Sequence, residues 1–250
     1  MTRIGILGIS GRMGRLLAEE VTAAGAALAG GTAHRGGQWP SDPQALARVS
    51  DALIDFTTAA AVEPHIRAAL EARKPLILGT TGLTPAQETA LAEAGREIPV
   101  VYAANFSPGV NLILAVAERL AASLPAESYD AEIVETHHRQ KIDAPSGTAV
   151  ALGRAVAAGR GTTLEEAGIE SGRDGHTGPR KTGAIGFAAL RAGQVVGEHT
   201  LLFASGSEHI ALTHRSFDRR VYATGAVRAA LWAVNQPPGL YGMKHVLGMA

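Results

Sequence analysis

The sequence predicts an α/β protein in which a parallel-sheet domain is followed by a smaller α+β domain with a mixed sheet. Over residues 1–103, short apolar runs alternate with alanine-rich amphipathic stretches, which is typical of a parallel sheet covered by helices on both faces. A glycine-rich turn joins the first apolar run to the first amphipathic stretch. Beyond residue 109 several runs alternate polar and apolar residues, as half-exposed strands do.

The first half of the chain is predicted to alternate strands with helices. Short apolar runs define the strands, and longer amphipathic stretches define the helices. Thr84 is predicted to cap one helix, with Pro85 at its first position and Gln87 completing a capping box. The weakly patterned segment 35–50 is predicted to be a loop or a degraded helix. The predicted strands are 3–9, 27–33, 52–56, 75–79 and 99–103, and the predicted helices are 12–24, 59–73 and 85–95.

The second half is predicted to pack helices on a mostly antiparallel or mixed sheet. Segment 171–181 carries glycines, basic residues and a proline, which indicates a mobile surface loop. The predicted strands are 129–136, 183–190, 194–204 and 208–214, and the predicted helices are 110–123, 147–158, a long one at 216–235 and a shorter one at 241–249.

The composition excludes several classes of function. The 250 residues include 23 Lys and Arg and 23 Asp and Glu, so no net charge draws the protein toward nucleic acid or an anionic membrane. Cysteine is absent, which excludes disulfides and thiolate metal sites. There is no signal-peptide pattern, and no apolar run approaches the ~20 residues that span a bilayer. We therefore expect a soluble cytoplasmic protein whose anion sites are built locally.

Gly8, Gly11 and Gly14 form a Gly-x-x-Gly-x-x-Gly motif between the first predicted strand and the first predicted helix. In this context a Rossmann-like domain binds the pyrophosphate of a dinucleotide. Glycine lets the main chain approach the phosphates, and the helix N-terminus offers unpaired N–H groups. Arg12 adds positive charge within the turn. The alternative is a glycine-rich turn that binds nothing.

The end of the second predicted strand indicates which dinucleotide is used. An acid there favours NAD, whereas a nearby arginine accommodates the 2′-phosphate of NADP. This chain has His34 and Arg35 and no acid. We therefore expect NADPH to be preferred, with NADH possible. The alternative is an ordinary pair of surface cations.

Two further loops follow predicted strands of the same sheet. One is the turn Gly79-Thr80-Thr81-Gly82, and the other is the segment 103–107. Ligands of open parallel sheets sit outside the carboxyl ends of the strands, so three such ends are expected to line one crevice. Taken alone, Gly-Thr-Thr-Gly is also compatible with an ordinary turn before a helix cap.

The segment 132–148 concentrates groups that move protons and bind anions. Adjacent strand residues face opposite sides, so either the strand ends at His137 and His138 or only one of them does chemistry. Histidine donates or accepts protons near neutral pH, and Lys141 can donate a proton or neutralise a carboxylate.

Ser146, Gly147 and Thr148 open the next predicted helix, where hydroxyls and free amides suit a carboxylate. The structural alternative is a helix capped by Ser146 beside a basic surface loop, and for Ser146 alone this alternative is favoured. A zinc site is disfavoured because no His-x-x-x-His pair is present. Arg219 and Arg220, at the start of the last long predicted helix, could bind a second carboxylate of the same ligand. The alternative is that they belong to a solvent-exposed face.

These segments together resemble one family, the 4-hydroxy-tetrahydrodipicolinate reductases (dihydrodipicolinate reductases) of bacterial lysine and diaminopimelate synthesis. The motifs that carry the resemblance run in order across nearly the whole chain, and the segment 132–148 is highly specific to the family. They are Gly-x-x-Gly-Arg-Met-Gly at 8–14, Gly-Thr-Thr-Gly at 79–82, Ala-Ala-Asn-Phe-Ser-x-Gly-Val-Asn at 103–111, the segment 132–148, and Gly-Ala-Val-Arg-x-Ala-Leu-Trp at 225–232.

The resemblance implies a Rossmann-like dinucleotide-binding domain at 1–108, completed by the C-terminal helices at 217–250. The remaining residues, 109–216, would then form a mixed α+β domain for substrate binding and tetramerisation. A homotetramer that takes a small dicarboxylate substrate is expected. The short connection at 35–50 and the absence of an acid at position 34 depart from the family pattern, and the second departure makes NADH use doubtful.

The resemblance also implies roles for individual residues. His137 becomes the catalytic acid/base and Lys141 the proton donor, in a hydride transfer from the nicotinamide to a cyclic imine dicarboxylate. The implied substrate contacts are His138, Gly147, Thr148 and Arg220, and the implied cofactor contacts are Gly8, Ile9, Ser10, Gly11, Arg12, Met13, Gly79, Thr80, Thr81, Ala103, Ala104, Asn105 and Phe106.

Two rival functions stay open at this point. Another nicotinamide dehydrogenase, acting on an amino acid or aspartate, would share the glycine motif but has no need for Lys141 followed by the turn at 145–148. A non-catalytic NADP-sensing protein could keep the glycine motif while losing the proton donors, and this chain retains them.

Overall fold

The computed structural model describes residues 1–33, 39 and 41–249. The chain divides into two compact units, one formed by Met1–Pro108 with Arg220–Ala250 and the other by Gly109–Arg219. Each unit has its own hydrophobic core. Within the described residues, every helix is too short or too polar to cross a membrane.

The elements follow one another in a βα alternation that gives way to a strand-rich stretch. In chain order they are β1 (Arg3–Leu7), α1 (Arg12–Ala23), β2 (Ala27–Thr32), α2 (Pro43–Val49), β3 (Ala52–Asp55), a 3-10 turn (Ala59–Ala61), α3 (Val62–Ala72), β4 (Leu76–Leu78), α4 (Pro85–Ala94), β5 (Pro99–Tyr102), α5 (Pro108–Ser123), β6 (Asp130–His137), α6 (Gly147–Gly159), α7 (Leu164–Ala167), β7 (Ile169–Ser171), β8 (Ile185–Arg191), β9 (Gly197–Ala204), β10 (His209–Ser216), α8 (Arg220–Ala233), β11 (Gly239–Tyr241) and α9 (Met243–Val246).

The first unit is built on a six-stranded sheet in the order β11-β5-β4-β3-β1-β2, and its paired strands are parallel. Successive side chains of one strand point to opposite faces. Ile54 of β3 therefore joins the core that packs on α1 and α8, whereas Leu53 joins the core that packs on α3 and α4. Both faces are covered, which explains the near-continuous apolar strands and confirms the predicted parallel sheet.

The second unit contains a five-stranded mixed sheet in the order β10-β9-β6-β8-β7. β6 pairs with β8 in parallel and with β9 in antiparallel orientation. Ile133 and Leu201 on one face pack in a core with Leu152 and Val156 of α6. The alternation that predicted a half-exposed strand is therefore correct for β6, and the predicted mixed sheet is confirmed.

Several predicted boundaries need correction. Segment 35–50, predicted as a loop or a degraded helix, includes the helix Pro43–Val49. That helix begins where the Asp42 side chain accepts a hydrogen bond from the amide of Gln44 and proline occupies the first turn. The predicted helix 216–235 begins only at Arg220, because β10 continues through Ser216, which pairs with Gly197 of β9.

The chain end also differs from the prediction. The predicted helix 241–249 shrinks to Met243–Val246, because the residues before it form β11 instead. This short strand pairs with β5 and completes the parallel sheet at its edge. The short elements α7 and β7 were missed as well, since neither is long enough to show a hydrophobic period.

Candidate active site

The glycine motif forms a tight turn between β1 and α1. Gly8 has φ +80°, a conformation that favours glycine, and its carbonyl accepts a hydrogen bond from the amide of Gly11 at 3.0 Å. A Cβ atom on Gly14 would overlap the Gly8 carbonyl and the main chain of Ile9. Glycine at position 14 therefore lets α1 start close against the end of β1.

The N-terminus of α1 is open to a ligand. Gly11 is its N-cap, and no side chain of the described residues caps the helix there. Ser10, Gly11 and Arg12 are exposed, so this end of a twelve-residue helix faces solvent. This cradle fits a pyrophosphate, because the helix dipole and the unpaired N–H groups both favour an anion.

The two other predicted loops follow the adjacent strands β4 and β5. A Cβ atom on Gly79 would overlap the ring of Phe56, so glycine here allows the turn to close on that side chain. Thr80 is buried and Thr81 is exposed. Phe106 lies in the core, tilted against Phe56 with ring centroids 5.4 Å apart.

The segment that follows β5 is partly accessible. Ala104 is exposed, Ala103 and Asn105 are half-buried, and the Asn105 side chain accepts a hydrogen bond from the amide of Ser107. Met13, on the first turn of α1, is also half-buried. His34 and Arg35, on which the NADPH preference depends, lie outside the described residues.

In the second unit, β6 ends at His137, and His138 belongs to the turn that follows. His137 is buried, and its Nδ1 donates a hydrogen bond of 2.5 Å to a carboxylate oxygen of Glu135, which is two residues earlier on the same face of the strand. This bond fixes the imidazole and leaves Nε2 for proton exchange. Nδ1 of His138 has no hydrogen-bond partner within the described part of the chain.

Glu135 gathers four hydrogen bonds on one buried carboxylate. Arg191 of β8 donates two of them, His137 donates one, and the amide of Ser146 donates the fourth at 3.2 Å. Burial by itself raises the pKa of Glu135, but the hydrogen bonds from Arg191 and then His137 outweigh burial and hold the pKa below its ordinary value. The carboxylate is therefore ionised beside His137.

Arg191 also holds the loop that carries Lys141. Its Nε donates to the carbonyl of Lys141 at 3.3 Å, and its Nη2 donates to the carbonyl of Asp143 at 2.6 Å. The Lys141 ammonium donates to both carboxylate oxygens of Asp143, each at 2.8 Å. This hydrogen bond lowers the pKa of Asp143. Arg191 therefore fixes the main chain of the loop that carries Lys141, whose side chain is 20% exposed.

The N-terminus of α6 follows this loop. The hydroxyl of Ser146 accepts a hydrogen bond from the amide of Ala149, so Ser146 is the N-cap of the helix. This is the structural role that the sequence favoured for Ser146 taken alone. Its Oγ also lies 2.9 Å from Nε2 of His199. Gly147 is exposed, Thr148 is half-buried, and a Cβ atom on Gly147 would meet no described atom within 4 Å. Space is therefore open at this helix terminus.

His199 lies on β9 between Ser146 and His137. Its ring is 5.0 Å from that of His137 in a T-shaped arrangement. Burial, followed by the neighbouring His137, lowers the pKa of His199 to about 4. It is therefore neutral near pH 7.

Arg220 is the first residue of α8 and belongs to the first unit. Its guanidinium lies 2.5 Å from the carboxylate of Glu19 and 3.7 Å from that of Glu20, both on α1. The prediction that it contacts the substrate stays a prediction.

Two family models together match nearly the whole chain. The model described as "Dihydrodipicolinate reductase, N-terminus" matches residues 2–106, and the model described as "Dihydrodipicolinate reductase, C-terminus" matches residues 109–247. The chain belongs to the dihydrodipicolinate reductase family. The predicted family and the predicted class of enzyme, an NAD(P)H-dependent oxidoreductase, are thereby confirmed.

Curated relatives agree with this assignment, and a solved structure has the same fold. The chain is 62% identical to the 4-hydroxy-tetrahydrodipicolinate reductase of Granulibacter bethesdensis, over 99% of this chain and 97% of that protein. It is 60% identical to the enzyme of the same name from Acidiphilium cryptum, over 99% and 98% of the two chains. The fold matches that of a dipicolinate-bound dihydrodipicolinate reductase from Paenisporosarcina sp. TG-14, with a TM-score of 0.80, 24% identity, and 99% and 100% coverage.

Sequence reasoning missed three residues of this site: Glu135, Arg191 and His199. Glu135 had a usable signal, because residues two apart on a strand share a face and it precedes His137 by two. Arg191 and His199 had none, because they reach the site only through the pairing of β6 with β8 and β9.

Proposed function

We propose that this protein reduces 4-hydroxy-tetrahydrodipicolinate to tetrahydrodipicolinate, with loss of water, in lysine and diaminopimelate synthesis, using NADPH or NADH. The relatives described above are named 4-hydroxy-tetrahydrodipicolinate reductases, which supports the substrate and the reduction. The observation that carries the proposal is the imidazole of His137, held by buried Glu135 at the end of β6, followed directly by Lys141 and the open N-terminus of α6.

The cofactor is assigned to the first unit. The turn from Gly8 to Gly14 fits its pyrophosphate, for the steric reasons given above, and the loops after β4 and β5 follow neighbouring strands of the same sheet. When bound, the nicotinamide supplies a hydride. The preference for NADPH over NADH rests on His34 and Arg35 and stays a prediction. The assigned cofactor residues are Gly8, Ile9, Ser10, Gly11, Arg12, Met13, Gly79, Thr80, Thr81, Ala103, Ala104, Asn105 and Phe106.

The dicarboxylate substrate is assigned to the second unit. The amide of Gly147 and the hydroxyl of Thr148 lie at the N-terminus of α6, where the helix dipole favours a carboxylate. His138 and the Lys141 ammonium precede them on the same short segment and add donors. Ser146 contributes by capping the helix and so fixing these amides. Arg220 is proposed as a further carboxylate contact.

The reduction adds a hydride and a proton, and the chain must supply or relay the proton. His137 can deliver it from Nε2, because Nδ1 is engaged by Glu135 and the ionised carboxylate stabilises the protonated ring. Lys141 is the second donor, and as the ammonium it also neutralises a substrate carboxylate. Hydride addition leaves electron density on the conjugated ring of the substrate, and either residue can neutralise it by donating a proton.

The second unit is also proposed as the assembly surface of a homotetramer. The face of its sheet opposite α6 exposes Val134 and Leu190, which are 39% and 54% accessible. Val134 pairs with Ala188 on one side and with Thr200 on the other, so its immediate neighbours in the sheet are small and uncharged. A mass in solution equal to one chain would contradict the assembly. The cytoplasmic location stays a prediction.

A coupled assay separates this function from its two rivals. The wild-type protein should oxidise NADPH only when a lysine-pathway synthase supplies the substrate. An amino-acid dehydrogenase would instead reduce NADP⁺ with an amino acid or aspartate and without the synthase. A non-catalytic sensor would bind NADPH and oxidise it under neither condition.

A further inference from the structure

A buried carboxylate in the first unit joins the loops that are assigned to the cofactor. Asp55 is the last residue of β3 and is completely buried. Its Oδ1 accepts hydrogen bonds from the amide of Thr57 at 2.8 Å, from the Thr57 hydroxyl at 2.6 Å and from the Thr80 hydroxyl at 3.2 Å. Its Oδ2 accepts a hydrogen bond from Nδ1 of His65 on α3 at 2.7 Å.

These bonds connect the ends of β3 and β4, and Thr57 adds a packing contact to the end of β1. Thr57 follows β3, and Thr80 lies in the turn that follows β4. The methyl group of Thr57 lies 2.6 Å from where a Cβ atom on Gly8 would stand, so Thr57 also packs on the glycine turn that follows β1. β1, β3 and β4 are neighbours in the sheet. One carboxylate therefore fixes the walls of the crevice in which a parallel sheet of this type binds its ligand.

Asp55, Thr57, His65 and Thr80 form one hydrogen-bonded cluster, in which the hydroxyl of Thr80 makes two hydrogen bonds. It donates its one proton to Asp55 and accepts a hydrogen bond from the amide of Thr57 at 3.0 Å. The Thr80 side chain therefore points into the protein, and the turn is held so that its main chain and exposed Thr81 remain for a ligand. A buried carboxylate costs free energy unless it is fully hydrogen-bonded, and His65 supplies the bond to Oδ2.

We propose that Asp55 is a positioning residue for the nicotinamide cofactor, and that His65 supports it. The proposal rests on the proposed NAD(P)H-dependent function. Asp55 does not touch the cofactor in this account, but it sets the relative positions of the glycine turn and the Gly-Thr-Thr-Gly turn. Loss of the cluster should weaken cofactor binding selectively, because the substrate residues 137–148 belong to the other unit.

The test measures NADPH affinity by nicotinamide fluorescence on the full protein without substrate, beside the KM for substrate and the melting temperature. We expect Asp55→Ala and His65→Leu to raise the Kd for NADPH by about tenfold, the effect of losing a hydrogen bond to a charged group. The KM for substrate should change by less than about twofold in the same variants. Asp55→Asn keeps the volume and provides the same test if Asp55→Ala does not fold.

Rescue and a matched control distinguish positioning from simple stability. His65→Asn places an amide nitrogen near the Nδ1 position, so it should return the Kd to within about twofold of the wild type, whereas His65→Leu should not. Asp51→Asn removes a half-exposed carboxylate that pairs with Arg3 next to the other end of β3, and it should leave the Kd unchanged.

An unchanged Kd in folded Asp55→Asn and His65→Leu would overturn the proposal. So would a rise in substrate KM equal to the rise in cofactor Kd, because that pattern indicates general loosening of the fold. Failure of the proposed function looks different, since the wild-type protein would then fail to oxidise NADPH when the synthase supplies the substrate.

Discussion

The guanidinium of Arg191 meets the carboxylate of Glu135 with two parallel hydrogen bonds of 2.9 Å each. This pair links β8 to β6 immediately beside His137, and the same guanidinium donates to the carbonyls of Lys141 and Asp143. A single side chain therefore positions both residues proposed to transfer protons. Arginine suits this place because its rigid fork matches a carboxylate, which a lysine does not.

Removing this fork should slow the reaction and destabilise the fold. We expect Arg191→Met to lower kcat by about tenfold to a hundredfold through misplacement of His137 and Lys141. It should also lower the free energy of unfolding by about 3 kcal/mol, because Glu135 keeps a buried charge without its main partner. Steady-state kinetics and urea unfolding test both effects. Arg215→Met, which breaks an exposed pair with Glu198 on β9, is the control and should change neither.

Gly147→Ala should separate substrate binding from stability. The added methyl group meets no described atom within 4 Å, and alanine at the first position of α6 should stabilise the fold by about 0.5 kcal/mol. If the substrate carboxylate binds at this helix terminus, however, the methyl group occupies its place. We expect the KM for substrate to rise about tenfold while NADPH affinity is unchanged. A stabilised variant with a wild-type KM would show that the carboxylate binds elsewhere.

Gly197→Ala tests whether Nε2 of His137 is the reacting nitrogen. The Cβ atom would stand 3.0 Å from Nε2, and the strand geometry itself tolerates alanine. We expect kcat to fall about tenfold or more, because the methyl group crowds the nitrogen that must meet the substrate. Gly206→Ala adds the same methyl group where no described atom lies within 4 Å, and it should keep the wild-type kcat. Equal rates in the two variants would remove Nε2 from the mechanism.

The buried His199 predicts how stability depends on pH. Its pKa falls from 6.5 to about 4 on folding, chiefly through burial. Between these values the unfolded chain binds a proton that the folded protein does not, so the free energy of unfolding decreases as the pH falls. The contribution of this one histidine is about 2 kcal/mol between about pH 7 and pH 5. His199→Gln, which keeps a polar group beside Ser146, should remove that part of the slope in urea unfolding.

A control isolates this effect from other groups that titrate in the same range. His209→Gln removes an exposed histidine at the start of β10 and should keep the wild-type slope. Glu135, whose pKa is lowered in the folded protein, also stabilises the fold at pH values above its ordinary pKa. That stabilisation is lost only at lower pH, as the pH falls through the pKa that Glu135 has in the folded protein. Identical slopes for wild type and His199→Gln above pH 5 would contradict the assignment.

The parts of the fold that could be predicted are those whose interacting groups are close together in the sequence. The capping box of Thr84 and Gln87 formed as predicted, because all of its groups lie within four residues. Ser146 as N-cap of α6 was readable for the same reason. β11 was not readable, because its three residues, Gly239–Tyr241, show no period and form a strand only by pairing with β5.

The candidate site shows the same limit. His137 and Lys141 lie in one short segment, and their residue types indicate proton transfer. The sequence alone therefore identifies both as candidate catalytic residues. The groups that fix them come from other strands: Arg191 is 56 positions from Glu135, and His199 is 53 positions from Ser146. Nothing local in the sequence specifies that β8 and β9 flank β6, so these partners required the sheet topology.

The most direct test of the account compares the wild type with His137→Ala and Lys141→Ala in the synthase-coupled assay of NADPH oxidation. We expect the wild type to oxidise NADPH only with substrate present. Each variant should lose about 10²–10⁴-fold in kcat, the usual worth of a general acid, while still binding NADPH. A kcat near the wild-type value in both variants would contradict the roles assigned to these residues.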